Sequence, residues 1–297
     1  MMKIRIILPC LCLCFFTLSN SQPVHPPEAS VVYPAVGNTS YYYWLVLENL
    51  AYTSCVDTHT NLPAWVSHAI NKEIIEYGDT ISRKRPNGYD KDERYKLLKK
   101  NAFNSSGYDH GHMAPAADFK WSGEAFETSF LMTNMAPQHG CLNQKGWCHI
   151  ESHCREWARQ DADHIVYIVS GVIPGVYIDS LCINKKLKVY VPAKFYKAIL
   201  YFDMNGNDTK AIGFIVDNKD LSNDEIGNCT VTIDQIEEAT LLDLFSFLPD
   251  ELEDEVESEQ GDFDIVTTQL DCPHKDCSSV YSGNRKLPEE RTKLRCE

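Results

Sequence analysis

The sequence predicts an α+β domain. Three observations point there. Strand-like runs and helical patterns interleave without alternating regularly, which favours α+β over a doubly wound sheet. No internal repeat is present. The 297 residues are 43% hydrophobic and 24% charged, ordinary globular usage that excludes a disordered, collagenous or coiled-coil chain. That length suffices for one large domain or two small ones, with a full apolar core. The formal net charge of -14 argues against a whole-surface grip on nucleic acid or anionic lipid, though it allows a local basic groove.

At the N-terminus, Lys3 and Arg5 precede an apolar run, Ile6 to Leu18, that is too short to span a bilayer. Ser19-Asn20-Ser21 follows, with a cut expected before Gln22, so residues 1–21 read as a cleaved secretory signal. The mature chain is then expected to be secreted, extracellular and off the membrane. Cys10, Cys12 and Cys14 leave with the signal. Cys55, Cys141, Cys148, Cys154, Cys182, Cys229, Cys272, Cys277 and Cys296 remain, and in a secreted chain most should be bridged. Their number is odd, so one is expected to stay a thiol or to link a partner chain. Asn38, Asn104, Asn207 and Asn228 stand in Asn-x-Ser/Thr triplets that fit a glycosylated secretory product.

Two apolar-rich runs, 51–57 and 63–70, flank Thr58-His59-Thr60-Asn61 and predict a hairpin. The polar stretch from Thr80 to Lys100 carries Arg83, Lys84, Arg85, Lys91, Arg94, Lys96, Lys99 and Lys100, a candidate border for a polyanion groove. Asn143 to Asp161 reads as a helix. Ile165 to Val169 reads as a buried strand, and Val189–Val191, Phe195–Phe202 and Ala211–Val216 as further strands. Thr232 to Leu248 reads as helical, Asp250 to Asp264 as an acidic surface, and 267–297 as a short Cys-containing tail.

Chemistry-bearing residues concentrate in two segments. In Asp109-His110-Gly111-His112, two histidines flank a glycine suited to unusual backbone angles. In the second, Asn143, Trp147, Glu151 and Arg155 recur every four residues and would line one side of a helix. A carboxamide, a carboxylate and a guanidinium on one stripe can hold a hydrated hard cation beside a phosphate. Mg²⁺ keeps most of its waters, so one amide oxygen and one carboxylate are enough. His149 and His153 also share a helical face, but the glutamate falls two residues after the first histidine, where a zinc-protease pattern needs it one after.

These two segments resemble the DNA/RNA non-specific endonuclease family, with its ββα-metal (His-Me finger) site. The family pattern Asp-Arg-Gly-His stands here as Asp109-His110-Gly111-His112, and Asn-x-x-x-Trp-x-x-x-Glu-x-x-x-Arg is met residue for residue. The resemblance runs from about Tyr52 to Val266, in a domain bounded at 22–266. Val191 to Lys197 and Ile233 to Glu237 further resemble the vertebrate-type endonuclease domain-containing 1 branch. The resemblance implies a central antiparallel sheet flanked by helices, and hydrolysis of DNA and RNA to 5′-phosphate ends. It implies Mg²⁺ as cofactor, with Mn²⁺ as a substitute. His112 would be the general base, and Asn143 the direct metal ligand. Glu151 would orient a metal-bound water, and Arg155 would help at the phosphate. Arg85 fits the family's upstream phosphate-contacting arginine, with Arg83 as fallback. Lys84 and Asp109 complete the candidate substrate-binding set.

His110 departs from the pattern. If it took over the arginine's task it would act when protonated, while His112 acts when neutral, giving a bell-shaped pH profile. The alternative is a catalytically impaired member that binds nucleic acid or a protein partner.

Overall fold

The computed structural model describes residues 34–36, 43–183, 186–205, 208–221 and 223–263. The signal run, Asn38, Asn207, Cys272, Cys277, Cys296 and the 267–297 tail lie outside them. In chain order the elements are β1 (Ala35–Val36), β2 (Trp44–Glu48), β3 (Tyr52–Asp57), β4 (Leu62–Asn71), α1 (Lys72–Asp79) and β5 (Asp109–His112). Then come α2 (Gly123–Thr128), β6 (Met135–Gln138), a π-helical turn (Leu142–Trp147), α3 (Cys148–Gln160) and β7 (His164–Val172). The chain continues through β8 (Tyr177–Ile183), β9 (Leu187–Pro192), β10 (Lys194–Asp203), β11 (Lys210–Asp217) and β12 (Thr230–Val231). It ends with α4 (Ile233–Thr240), β13 (Leu242–Asp243) and α5 (Asp250–Ser258).

The α+β expectation holds. Seven antiparallel strands form one sheet in the order β12-β11-β10-β7-β4-β3-β2. The predicted hairpin is β3–β4, closing with Asp57 opposite Leu62. Its turn is built by Asp57, whose carboxylate accepts from the His59 N–H and the Thr60 hydroxyl, and by Asn61 at φ 60°. An asparagine tolerates that left-handed angle better than most residues.

Period-two alternation divides the sheet's side chains between two cores. Val66, Ile70, Val166, Ile168, Phe195 and Ile199 face the first, which also holds Trp147, Ile150 and Trp157 of the π turn and α3. Trp65, Ala69, Tyr167, Val169, Ala198 and Leu200 face the second, with Ile233 and Ile236 of α4 and Val256 of α5. The sheet is thus covered by helices on both faces. Among the described residues no helix is long and apolar enough to cross a membrane.

Three expectations are corrected. The 232–248 helix ends at Thr240, because Leu241 adopts a left-handed cap at φ 60° and the Glu237 carboxylate takes the Leu244 N–H. The chain then pairs β13 with β1. The acidic 250–264 stretch is not wholly surface, since it opens with α5 and buries Glu257. Cys141 and Cys182 are disulfide-bonded, whereas Cys55, Cys154 and Cys229 keep thiols, more than one odd cysteine allows. Burial pushes the Cys55 and Cys154 thiols up to about 12, which keeps them protonated and unreactive.

The first core also buries charge. Asp118 receives Arg155 Nη1 at 2.9 Å on one oxygen and faces His68 Nε2 at 3.0 Å on the other, tying α3 to β4. A buried ion pair is costly to break from one side, because the surviving charge has no water to turn to. Asp118→Ala is expected to destabilise the domain by about 3–5 kcal/mol. Urea unfolding reads this directly, and a loss under about 1 kcal/mol would show that Arg155 finds solvent instead.

Candidate active site

Strand β5 and its partner β6 form a two-stranded ribbon in which His110 pairs with Pro137 and Gly111 with Ala136. Gly111 is required by contact rather than by backbone angle. A Cβ there would lie 2.2 Å from Gln138 Oε1 and 2.6 Å from Gln138 Cβ. The ribbon is lashed to the π turn at both ends. Asp109 Oδ2 accepts from Asn143 Nδ2 at 2.9 Å and from Gln144 Nε2 at 2.7 Å. The Trp147 indole N–H donates to the His112 carbonyl at 3.1 Å.

Asn143 is not a helix cap. Its own N–H already donates to the His139 carbonyl, and it sits inside the π turn. Of the four spaced residues, Asn143 and Trp147 belong to the π turn, and Glu151 and Arg155 to α3. Asp109, expected in the substrate-binding set, instead holds Asn143. By holding the amide nitrogen of Asn143, it leaves Oδ1 as the oxygen donor available to a cation. Glu151 follows two turns on, half-buried, with its charge acting on half-buried Arg155 and on buried Lys197. Oxygen donors of this kind suit a hard ion such as Mg²⁺.

His112 is 8% exposed, and its Nε2 is buried without a hydrogen-bond partner among the described residues. Its ring meets Phe130 edge-on at 5.2 Å, while the Arg85 guanidinium lies 5.1 Å over the same Phe130 ring. Burial, then the charges of Arg85 and His110, press its pKa down to about 3. The ring is therefore neutral at every physiological pH, rather than titrating near neutrality.

A cleft of about 470 Å³ opens here, lined among others by Arg85, Tyr89, Asp109, His110, Asn143 and Gln144. The structure thus brings together Arg85, Asp109, His110, His112 and Asn143. It separates the rest of the basic run. Arg83 donates to the Lys120 carbonyl and, with Lys84, borders a different cleft beside Phe126 and Glu127. Arg94 is bound to Asp92, Lys91 to Glu93 and Lys100 to Asp90. The fallback Arg83 and the Lys84 contact are corrected on that ground, and the Thr80–Lys100 run meets the site through Arg85. Arg155 is corrected too, because Asp118 and Ser152 Oγ already occupy its guanidinium.

His110 does not serve as a protonated phosphate contact. It lies sandwiched between Tyr89, at 4.2 Å and nearly parallel, and Phe103, at 5.0 Å. Its Nε2 accepts from the Phe103 N–H, which requires an unprotonated nitrogen. Burial lowers its pKa to about 4. The bell-shaped profile expected of a His110–His112 pair therefore loses its basis. Sequence reasoning missed Tyr89, Phe130, Gln144 and the His68–Asp118 pair, although Asp118 stands only six residues after His112.

In comparisons with known proteins, residues 35–251 match the family described as DNA/RNA non-specific endonuclease. The chain is 29% identical over 218 residues to the mitochondrial nuclease of Saccharomyces cerevisiae, covering 67% of this chain and 64% of that protein. It is 32% identical over 163 residues to a nuclease of Nostoc sp., covering 52% and 57% respectively. A solved structure of EndoG in complex with EndoGI superposes with a TM-score of 0.58 at 24% identity, over 69% of this chain and 86% of that one, a likeness of fold.

The depressed histidines set a pH dependence of stability. The unfolded chain binds protons below about 6.5 that native His110 and His112 refuse until about 4 and about 3. The unfolded state therefore holds more protons across that window. Stability from this source is complete above about pH 6.5 and is lost as pH falls towards 3. Urea midpoints should drop less between pH 7 and about pH 4.5 in His110→Gln than in the parent. Equal drops would mean that His110 titrates normally.

Proposed function

The chain belongs to the DNA/RNA non-specific endonuclease family, and from that premise we propose that it is a secreted, Mg²⁺-dependent endonuclease acting on both DNA and RNA. The products would carry 5′-phosphate and 3′-hydroxyl ends. One observation carries the reading: the buried, neutral, unpartnered Nε2 of His112 stands on a strand lashed to the turn that presents Asn143. An acceptor nitrogen left without a partner in a buried position is an expensive feature, of the kind that active sites retain.

In the proposed reaction, His112 Nε2 takes a proton from water as the water oxygen bonds to phosphorus and the P–O3′ bond breaks. The leaving O3′ takes its proton from solvent. The ring enters neutral, and the phosphate's negative charge favours the imidazolium that forms. Asn143 Oδ1, and Glu151 through water, are the donors that would hold Mg²⁺, which when bound supplies positive charge against that building on the phosphate. Mn²⁺ has the same preference for oxygen donors. Arg85 is the cation placed to meet a phosphate at the cleft, and its seat over Phe130 fixes the base of its guanidinium. Asp109 acts through Asn143 and is a positioning residue.

The secreted, glycosylated form rests on the Lys3–Leu18 signal pattern, the Asn-x-Ser/Thr triplets at Asn38, Asn104, Asn207 and Asn228, and the bonded Cys141 and Cys182. The domain is read as 22–266, and the Val191–Lys197 and Ile233–Glu237 stretches support a place in the endonuclease domain-containing 1 branch.

Purified protein incubated with plasmid, single-stranded DNA and RNA is expected to cleave all three with Mg²⁺ and none with chelator. His112→Ala should slow cleavage by about 10²–10⁴-fold in a folded protein, the usual worth of a general base. A parent that binds these polymers without cutting them, or a His112→Ala variant that cuts at the parental rate, would overturn the reading.

A further inference from the structure

On the opposite face of the sheet from His112, α4 and α5 bring three carboxylates together. Oxygens of Asp234, Glu237 and Glu257 all lie within 4.8 Å of one another. Asp234 is exposed and Glu237 half-buried, but Glu257 is only 6% exposed, and its Oε1 has no hydrogen-bond partner among the described residues. We propose that Asp234, Glu237 and Glu257 form a binding site for one divalent cation of calcium's size, which pins α5 to α4.

The kind of donor favours that ion over a smaller one, because Ca²⁺ takes about six to eight oxygens in flexible geometry whereas Mg²⁺ demands a near-ideal octahedron. Calcium also accepts the irregular, partly bidentate coordination that glutamates on two separate helices provide.

The charges around the cluster have the same sign. The principal charges acting on Glu257 are those of Glu237, Glu253, Asp234 and Asp243, all carboxylates. Glu257 also sits in the last turn of α5, which has no basic residue there to meet the negative end of its helix dipole. A buried carboxylate in this position needs a proton or a cation, and the convergence of two more carboxylates on it supplies the ligands for a cation. Its location in α5, whose apolar anchor in the second core is Val256, makes the cation a clasp for the acidic helix.

The site is independent of the catalytic reading, and the experiment is chosen to separate them. Chelator-treated full-length protein is heated with and without Ca²⁺, and with Mg²⁺ in a parallel arm. At about tenfold excess of Ca²⁺ over its Kd, the midpoint Tm should rise by about 3–6 °C, and by less with Mg²⁺. Glu257→Gln and Asp234→Asn should each lose most of the Ca²⁺-dependent rise. Both should keep the parental rate of Mg²⁺-dependent cleavage, since neither lies near His112 or Asn143. Asp234 is exposed, so Asp234→Asn decides the matter alone if Glu257→Gln does not fold. A parent without any Ca²⁺-dependent rise, or variants that keep it in full, would overturn the proposal. The second result would place the stabilising ion elsewhere.

Discussion

The hydrogen bond from the Trp147 indole to the His112 carbonyl is the constraint on which the site depends. It fixes the end of a four-residue strand that, among the described residues, has only one neighbouring strand to hold it. Trp147 is itself fixed from below, by Phe195 at 5.7 Å and by the buried Lys197 ammonium 4.3 Å over its ring. Both belong to β10, in the middle of the seven-stranded sheet. A rigid element thus reaches the histidine through one aromatic ring. The Asp109 bonds to Asn143 and Gln144 close the other end of the same strand. Precision in a site of this kind comes from such supporting contacts as much as from the reacting groups.

Beneath the site, the first core holds an unusual number of ionisable groups. Lys197 donates to Ser170 Oγ at 2.7 Å, and Asp118 joins His68 and Arg155. Burial pulls the Lys197 pKa down, while Glu151, Cys154 and Asp118 oppose the shift. Buried charges are tolerated only when each finds a partner, and here the partners come from β4, β7, β10, α3 and the segment that follows β5. The network costs desolvation energy, but it sets the seat of α3 on the sheet, and α3 carries Glu151. The opposite face is apolar until α4 and α5, where the carboxylates gather without a compensating arginine or lysine among their principal neighbours.

Much of this was legible in the chain itself. Apolar-rich runs located the strands, because a strand buried on both faces is apolar along most of its length. The spacing of Asn143, Trp147, Glu151 and Arg155 located the helix. The histidine segment was legible through the Asp-x-Gly-His pattern, although the reason for Gly111 proved to be the side chain of Gln138 and not a backbone angle. Other features depend on contacts distant in sequence. Asp118 lies 37 residues from Arg155 and 50 from His68, so no local pattern announces their bonds. His110 is neutral because Tyr89 and Phe103 enclose it, and neither is near enough in a regular element to be read as its partner. The π turn hides in a sequence whose four-residue spacing looks continuous. The helix predicted to reach Leu248 stops at Leu241, a leucine in a left-handed cap that propensity would not choose.

The central claim is that His112 and Asn143 act on one chemical step as a unit, held together by strand β5 and the π turn. A double-mutant cycle on single-turnover cleavage at saturating Mg²⁺ tests it most directly. Groups that work together are strongly non-additive, so the His112→Ala/Asn143→Ala double variant should cleave about as slowly as the slower single variant. Losses that multiply across the two substitutions would contradict the account, for they would mean that the histidine and the asparagine serve separate steps.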